Sequence, residues 1–175
     1  MDIPVFVSAP SSENLTRSQR ARYQTVVDIL GEMSLEPRAL GRSDFPSELP
    51  LREVFQIARR CSGGVILGFV QDVGEVVVRP GLTRTDPPPV SRSYPTPWNQ
   101  LEAGILFAAG VPLLILKETA VSGGVFDHGV TDVFVHDMPA KQFTASQRKQ
   151  LAGAMMKWHG KVQGHYYDWQ PTPTR

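Results

Sequence analysis

The chain has 175 residues, of which 41% are hydrophobic and 20% charged. This composition excludes a disordered chain, and the length suits one domain better than two. The 18 Lys and Arg residues nearly balance the 17 Asp and Glu residues, which excludes a global attraction to nucleic acid or to anionic membranes. The single cysteine, Cys61, excludes an intramolecular disulfide and fits a reducing compartment.

Targeting and membrane segments are not expected. No stretch approaches the roughly 18 apolar residues that a membrane-spanning helix needs. The first eight residues predict a strand and lack the basic region of a signal peptide. We therefore expect a cytoplasmic protein with a single domain over residues 1–169 and a frayed tail over 170–175. Neither nucleic acid nor a membrane is an expected partner.

Strands and helices alternate along the sequence. Short apolar runs that predict strands lie at residues 3–8, 35–40, 65–70, 113–116 and 132–136. Helical spacing of apolar residues predicts helices within residues 23–33, 51–61, 98–109 and 144–159. Two pairs match the capping box that opens a helix, Thr16 with Gln19 and Thr144 with Gln147. The alternation predicts right-handed crossovers and an α/β sandwich around a five-stranded parallel sheet.

Residues 71–97 interrupt this alternation. Their glycines and prolines, including the Pro run at 87–89, exclude a helix or a central strand. A short edge strand at 75–79 is the one element expected within the segment. A long irregular insertion is often a functional lid, but a surface insertion without a role or an oligomer contact explains it equally well.

Candidate substrate-binding residues follow the predicted strands, because the ligand of an open α/β sheet binds beyond the carboxyl ends of the strands. The hydroxyl-rich loop after the first strand contributes Ser8, Pro10, Ser11 and Ser12. Arg17 and Arg20 follow in the first turns of the next helix, where basic side chains oppose the helix dipole. They indicate either a bound acidic group such as phosphate or a solvated basic surface.

Two later loops add polar candidates. Asp44 and Phe45 follow the second strand, where turn chemistry alone is a sufficient explanation, and Asp127 and His128 follow the fourth. The four histidines show no metal-ligand spacing, so no metal site is expected. A Gly-x-Ser-x-Gly nucleophile elbow is absent from the sequence, which argues against a hydrolase of that design.

Glu102 lies in an otherwise apolar segment, in the first turns of the predicted helix 98–109. The surrounding apolar residues are Leu101, Ala103, Ile105, Leu106 and Phe107. We therefore expect its carboxylate to be partly desolvated at the mouth of the sheet, either with a raised pKa or ionised for nucleophilic or electrostatic work. A glutamate that merely complements the helix dipole does not require apolar surroundings, so we predict a functional role.

The sequence around Glu102 resembles two related families. Residues 97–102 resemble the Ser-x-Trp-Cys-x-x-Glu helix start of TIR (Toll/interleukin-1 receptor) domains, with Asn99 where many of them have cysteine. Residues 102–104 and 107–112 resemble nucleoside 2-deoxyribosyltransferases, in which a Glu-Ile-Gly helix precedes an Ala-x-Gly-x-Pro turn. The order of elements is similar too, and the likeness spans most of residues 3–137.

The resemblance implies a flavodoxin-like three-layer sandwich and attack on an N-glycosidic bond, with Glu102 as the catalytic carboxylate. NAD would be the substrate of a glycohydrolase or cyclase, of the kind linked to bacterial antiphage signalling and often active as a homo-oligomer. No cofactor is expected. The alternatives are a nucleoside or nucleotide 2-deoxyribosyltransferase or N-hydrolase, and a catalytically silent TIR-like assembly or nucleotide-binding module.

Further residues have roles that this chemistry implies. Trp98 is placed to stack on a base or a nicotinamide ring, although an indole at this position also suits a core. Asn99 is a candidate for substrate contact. Asp44, Asp127 or His128 can supply the proton that a neutral nucleobase requires as it leaves.

Overall fold

A computed structural model describes residues 2–39, 49–76, 89–130, 133 and 135–169. Within these ranges the strands are β1 Ile3–Ser8, β2 Leu35–Arg38, β3 Gly63–Gly68, β4 Asp72–Val76, β5 Val90–Tyr94, β6 Leu113–Glu118 and β7 Val135–Met138. The helices are α1 Arg17–Glu32, α2 Pro50–Ala58, α3 Pro97–Ala108 and α4 Ala145–Trp169. The predicted tail, Asp44 and Phe45 lie outside the described residues.

The main sheet has the order β2-β1-β3-β6-β7, and its pairs are parallel. This confirms the predicted five-stranded parallel sheet and gives the strand order of flavodoxin-like folds. The direction of strand order reverses between β1 and β3. In this class of fold the crevice at the carboxyl ends of those two strands is where ligands bind.

Helices cover both faces of the sheet, as the three-layer prediction requires. One core lies between the sheet and the pair α1 and α4, and includes Val5, Val65 and Leu114. The other lies between the sheet and the pair α2 and α3, and includes Phe6 and Ile66. Successive residues of a strand point to opposite faces, so strands buried on both faces appear as continuous apolar runs in the sequence.

The segment 71–97 is more regular than predicted. The predicted strand 75–79 overlaps β4 at residues 75 and 76, and its remaining residues lie outside the described ranges. Strand β4 pairs antiparallel with Val90–Tyr94. This ribbon is joined to the main body by a bridge between Ser93 and Val121, just beyond β6. Val73 is 68% exposed. Because the ribbon contacts water on both sides, its residues lack the apolar alternation from which strands are predicted.

Two helices begin at their predicted caps, but α4 is longer than predicted. Both capping boxes are present, with Thr16 accepting from the Gln19 N–H at 3.2 Å and Thr144 accepting from the Gln147 N–H at 3.2 Å. Helix α4 extends ten residues beyond the predicted end at 159, to Trp169. Within this extension Val162 is buried against the sheet. In the described ranges no helix is both long and apolar enough to cross a membrane.

A buried ion pair joins helix α1 to the end of strand β6. Arg22 of α1 bonds to Glu118, the last residue of β6. The other Glu118 oxygen accepts from the Val70 backbone N–H at 2.6 Å and from the Gln19 side chain at 3.2 Å. This network holds α1 against the chain that leaves β3 for the ribbon.

Candidate active site

Helix α3 begins at the carboxyl edge of the sheet. Thr96 caps it, accepting from the Asn99 backbone N–H at 3.4 Å, and Pro97 occupies the first turn. Proline fits that position because the N–H it lacks would have no partner within the helix. Helix α3 thus begins one residue before the predicted start at 98, and Pro97 belongs to the helix and not to the insertion. The local sequence therefore sets where α3 starts and brings Glu102 to its second turn.

Glu102 is partly buried beside the side chain of Ser8 at the end of β1. Burial raises the pKa of Glu102 to about 7, although hydrogen bonding from Ser8 acts to lower it. This confirms the expected desolvation of the carboxylate. The group is thus close to half ionised at neutral pH, the condition in which a carboxyl group serves either as an acid or as a base.

The apolar neighbours in sequence are not all neighbours in space. Leu101 and Phe107, expected to surround Glu102, are 49% and 53% exposed. The face of α3 that contacts the sheet carries Asn99, Ala103 and Leu106. Glu102 lies at the margin of this buried face, which explains how an acid in the second turn loses water without being enclosed.

Ser8 and Asn99 form the polar centre of the site. The Asn99 amide donates to Ser8 Oγ at 2.7 Å, and the Thr96 hydroxyl donates to Asn99 Oδ1 at 3.1 Å. Ser8 and Asn99 are each 1% exposed. Three side chains thus form a continuous hydrogen-bonded chain, Thr96 to Asn99 to Ser8, across the β1–α3 contact.

The rest of the loop after β1 is bonded largely to itself. Ser11 Oγ donates to Glu13 at 3.2 Å and accepts from the Asn14 side chain at 3.0 Å. The Ser12 carbonyl accepts from Arg20 at 3.0 Å. Pro10 is buried. The loop therefore reaches α1 in a defined conformation.

The two basic candidates differ in their surroundings. Arg20 donates to the carbonyls of Ser12 and Leu15, at 3.0 and 3.3 Å, and so fastens the loop. Arg17 is exposed at the first position of α1. Within the described part of the chain, its guanidinium has no hydrogen-bond partner. Of the two, Arg17 is the cation placed to meet an incoming anion.

Trp98 lies one helical turn before Glu102, so the two residues share a side of α3. Its indole is 42% exposed. Because such exposure is too great for a core position, the alternative prediction that Trp98 is a core residue is wrong. An exposed aromatic ring next to a partly buried carboxylate is an arrangement suited to a planar heterocycle linked to a sugar.

Asp127 and His128 lie on the other flank of α3. They are exposed, and Asp127 accepts from the Gly123 N–H at 2.8 Å. Gln100 anchors their loop by donating to the Gly123 carbonyl at 3.0 Å and accepting from the Val125 N–H at 3.1 Å. Gln100 and Glu102 are about 200° apart around the helix axis. This loop is therefore separated from Glu102 by the body of α3.

Gln100 is a structural anchor that the sequence interpretation missed. Its hydrogen bond from the Val125 N–H joins residues 25 positions apart, and a helical sequence does not indicate that a glutamine has such a partner. Gly124 is the matching feature, because its φ is +60° and a Cβ there would overlap the Gln100 side chain. The sequence shows a glycine in that loop, but it does not show that the glycine leaves space for the Gln100 side chain.

A cavity of about 390 Å³ adjoins the start of α3. Its lining residues are Asp72, Tyr94, Pro95, Thr96, Pro97, Gln100, Ser122 and Gly123. It lies between the ribbon and the loop after β6, on the Gln100 flank.

Within the described part of the chain, no group of three or more metal-ligating side chains occurs.

No protein-family model matches the chain, and no curated protein matches it. Among solved structures, the chain is similar to the structure of the CMP N-glycosidase BcmB from Clostridium botulinum, with a TM-score of 0.51 and 12% sequence identity. The likeness covers 89% of this chain and 98% of that one. At this identity it shows that the two proteins share the α/β fold.

Proposed function

We propose that the chain is an enzyme that cleaves an N-glycosidic bond, with Glu102 as the carboxylate beside the anomeric carbon. The observation that carries the proposal is a partly buried Glu102, beside Ser8, at the carboxyl edge where the strand order reverses. Its pKa of about 7 makes the group available in both protonation states at neutral pH. Trp98, exposed on the same side of α3, supports a planar leaving group.

The chemistry follows from the charge that develops during the reaction. As the bond from the anomeric carbon to the base nitrogen breaks, the electron pair leaves with the base and the sugar becomes an oxocarbenium-like cation. An ionised Glu102 stabilises this cation or captures it as an ester, which water then hydrolyses.

NAD is the first proposed substrate, since the resemblance to TIR domains points to a glycohydrolase or cyclase. Nicotinamide leaves from a cationic pyridinium and needs no protonation, so one ionised carboxylate is sufficient. The same resemblance leads us to propose a cytoplasmic homo-oligomer that acts in bacterial antiphage signalling. NAD would enter as the substrate, and no resident cofactor is required.

A nucleotide or nucleoside N-hydrolase or 2-deoxyribosyltransferase is the second candidate. The fold likeness to a CMP N-glycosidase favours it. A neutral base needs a proton to leave, and an ionised Glu102 that stabilises the sugar cation does not supply it, so this candidate needs a second group in its acid form. The two candidates therefore differ in pH dependence, because only the second loses activity when that acid is deprotonated.

The test is to incubate the protein with NAD, CMP, cytidine and deoxycytidine and to measure free base by chromatography. Protein concentration is varied over a wide range, because assembly can complete such a site. The proposal predicts base release from one substrate class, with activity toward NAD rising as the pH passes 7. Absence of release from every substrate at every concentration would contradict the enzyme proposal and favour a silent assembly or nucleotide-binding module.

A further inference from the structure

Helix α4 and the first residues of β6 border a cavity of about 370 Å³ that the proposed function does not use. Leu113, Leu114 and Trp158 line it, and all three residues are buried. The Trp158 indole is held in place because its Nε1 donates to the Pro112 carbonyl at 2.9 Å. A cavity of this size with mostly apolar walls is typical of a binding site for a small molecule.

The space is open because α4 carries small residues along the cavity. Gly153 and Ala154 line it, and a Cβ built on Gly153 would meet no atom within 4 Å. A larger side chain at position 153 would therefore enter open space without displacing a neighbour. The cavity can thus be filled by one substitution that leaves its walls in place.

The charged side chains that line the cavity are basic. They are Lys157 and Lys161, one helical turn apart and exposed, and like charges at this spacing destabilise a helix. Within the described part of the chain neither lysine forms an ion pair, and α4 has no Asp or Glu from residue 145 to 167. Burial lowers the pKa of His136, the other titratable lining residue, so its imidazole is largely neutral at neutral pH. The lining therefore combines apolar walls with positive charge that no acid offsets.

The cavity lies away from the candidate active site. Leu113 and Leu114 begin β6, whereas Glu102 lies at the opposite edge of the sheet, where the strands end. The acid next to the cavity along β7 is Asp137, and its carboxylate is paired with Lys117 at 3.7 Å. A ligand in this cavity would therefore not compete with a substrate beside Glu102.

We propose that this cavity binds an amphipathic anion, a small molecule with an apolar ring system or short alkyl chain and one carboxylate or phosphate group. The apolar part packs against Leu113, Leu114 and Trp158 and loses its contact with water. The anionic group stays at the exposed rim, where Lys157 and Lys161 bind it and their mutual repulsion is relieved. A neutral molecule of the same shape lacks the second contribution, and a free anion lacks the first.

The test is a calorimetric titration of the whole chain with two carboxylates, naphthoate and octanoate, with their neutral amides, and with inorganic phosphate. Naphthoate and octanoate distinguish a ring system from an alkyl chain. We expect saturable binding of at least one carboxylate at one site per chain, with its amide binding about tenfold more weakly and phosphate alone not binding. Absence of binding by both carboxylates, or equal affinity for a carboxylate and its amide, would overturn the proposal.

Gly153→Leu locates the binding, because it fills the cavity and should abolish binding of the carboxylate. Leucine also favours a helix more than glycine does, so the fold should be kept, and thermal melting checks this. Gly31→Leu on α1 is the matched control, since a Cβ there also meets no atom within 4 Å, and it should bind like the wild type. Unchanged affinity in a folded Gly153→Leu would overturn the proposal.

The double variant Lys157→Gln with Lys161→Gln tests the charge and serves even if Gly153→Leu does not fold. It should bind the carboxylate about tenfold more weakly and bind the amide as before. Lys149→Gln, an exposed lysine of α4 that does not line the cavity, is its control. An equal loss in the control, or displacement of the carboxylate by CMP, would contradict a separate site at these lysines. The titration needs no turnover, so its outcome is independent of the proposed activity.

Discussion

At the scale of single residues, the Glu102 carboxyl links stability to pH. Its pKa is about 7 in the folded chain against 4.5 for an unperturbed group, so the unfolded chain ionises first. Ionisation of Glu102 therefore does not affect the free energy of unfolding below pH 4.5. It lowers that free energy as the pH rises from 4.5 toward 7 and causes no further change above pH 7. The full shift corresponds to roughly 3 kcal/mol.

Glu102→Gln removes this dependence. We expect the variant to be more stable than the wild type by about 3 kcal/mol at pH 8 and nearly equal to it at pH 4. Urea unfolding at both pH values measures the difference. Glu75→Gln, an exposed position on the ribbon, is the control and should show no such change. Equal stability of Glu102→Gln and the wild type at pH 8 would mean that the carboxylate is not desolvated.

Trp98 is predicted to bind the leaving group rather than to support the fold. Trp98→Ala should raise KM about tenfold through the loss of stacking and change the melting temperature little, because the indole is exposed. Phe107→Ala is the matched control, an exposed aromatic on the opposite side of α3. Equal effects of both variants on KM would exclude a stacking role for Trp98.

Arg17 is predicted to bind a substrate phosphate. Arg17→Ala should raise KM about tenfold for a nucleotide and leave KM for the matching nucleoside unchanged. Comparing CMP with cytidine tests this directly, and an equal change for both would contradict a phosphate contact.

At the scale of elements, the start of α3 was predictable and its connections were not. Apolar spacing and the tryptophan-to-glutamate spacing were sufficient to place Glu102 in the first turns of a helix. The bond from Asn99 to Ser8 joins residues 91 positions apart, and no local pattern encodes it. Strand β4 was predicted only in part and β5 was not predicted, for a related reason, because a ribbon exposed on both sides has no apolar face.

The ion pair between Arg22 and Glu118 is predicted to hold α1 to the end of β6. Arg22→Met leaves Glu118 without its buried cation and should lower the free energy of unfolding by about 3–5 kcal/mol. Adding Glu118→Leu should recover part of the loss, since it removes the uncompensated charge. Urea unfolding of the single and double variants measures both. A double variant no more stable than Arg22→Met would contradict this account.

At the scale of the whole molecule, the strand order decides which residues meet. Alternating strands and helices predict a parallel sheet, but the order in which the strands lie is not encoded in any one of them. The order β2-β1-β3-β6-β7 brings the end of β1 beside the start of α3. It also places Asp127 and His128 on the other flank of α3, away from the glutamate that they were expected to assist.

The central claim is that the charge of Glu102 drives cleavage of an N-glycosidic bond. The most direct measurement is base release from NAD and CMP by the wild type and by Glu102→Gln, with thermal melting of both proteins. Loss of one preorganised electrostatic contact reduces the rate by about a hundredfold to a thousandfold. The account predicts that loss with an unchanged or higher melting temperature. Full activity in Glu102→Gln, or lost activity with a collapsed melting temperature, would contradict it.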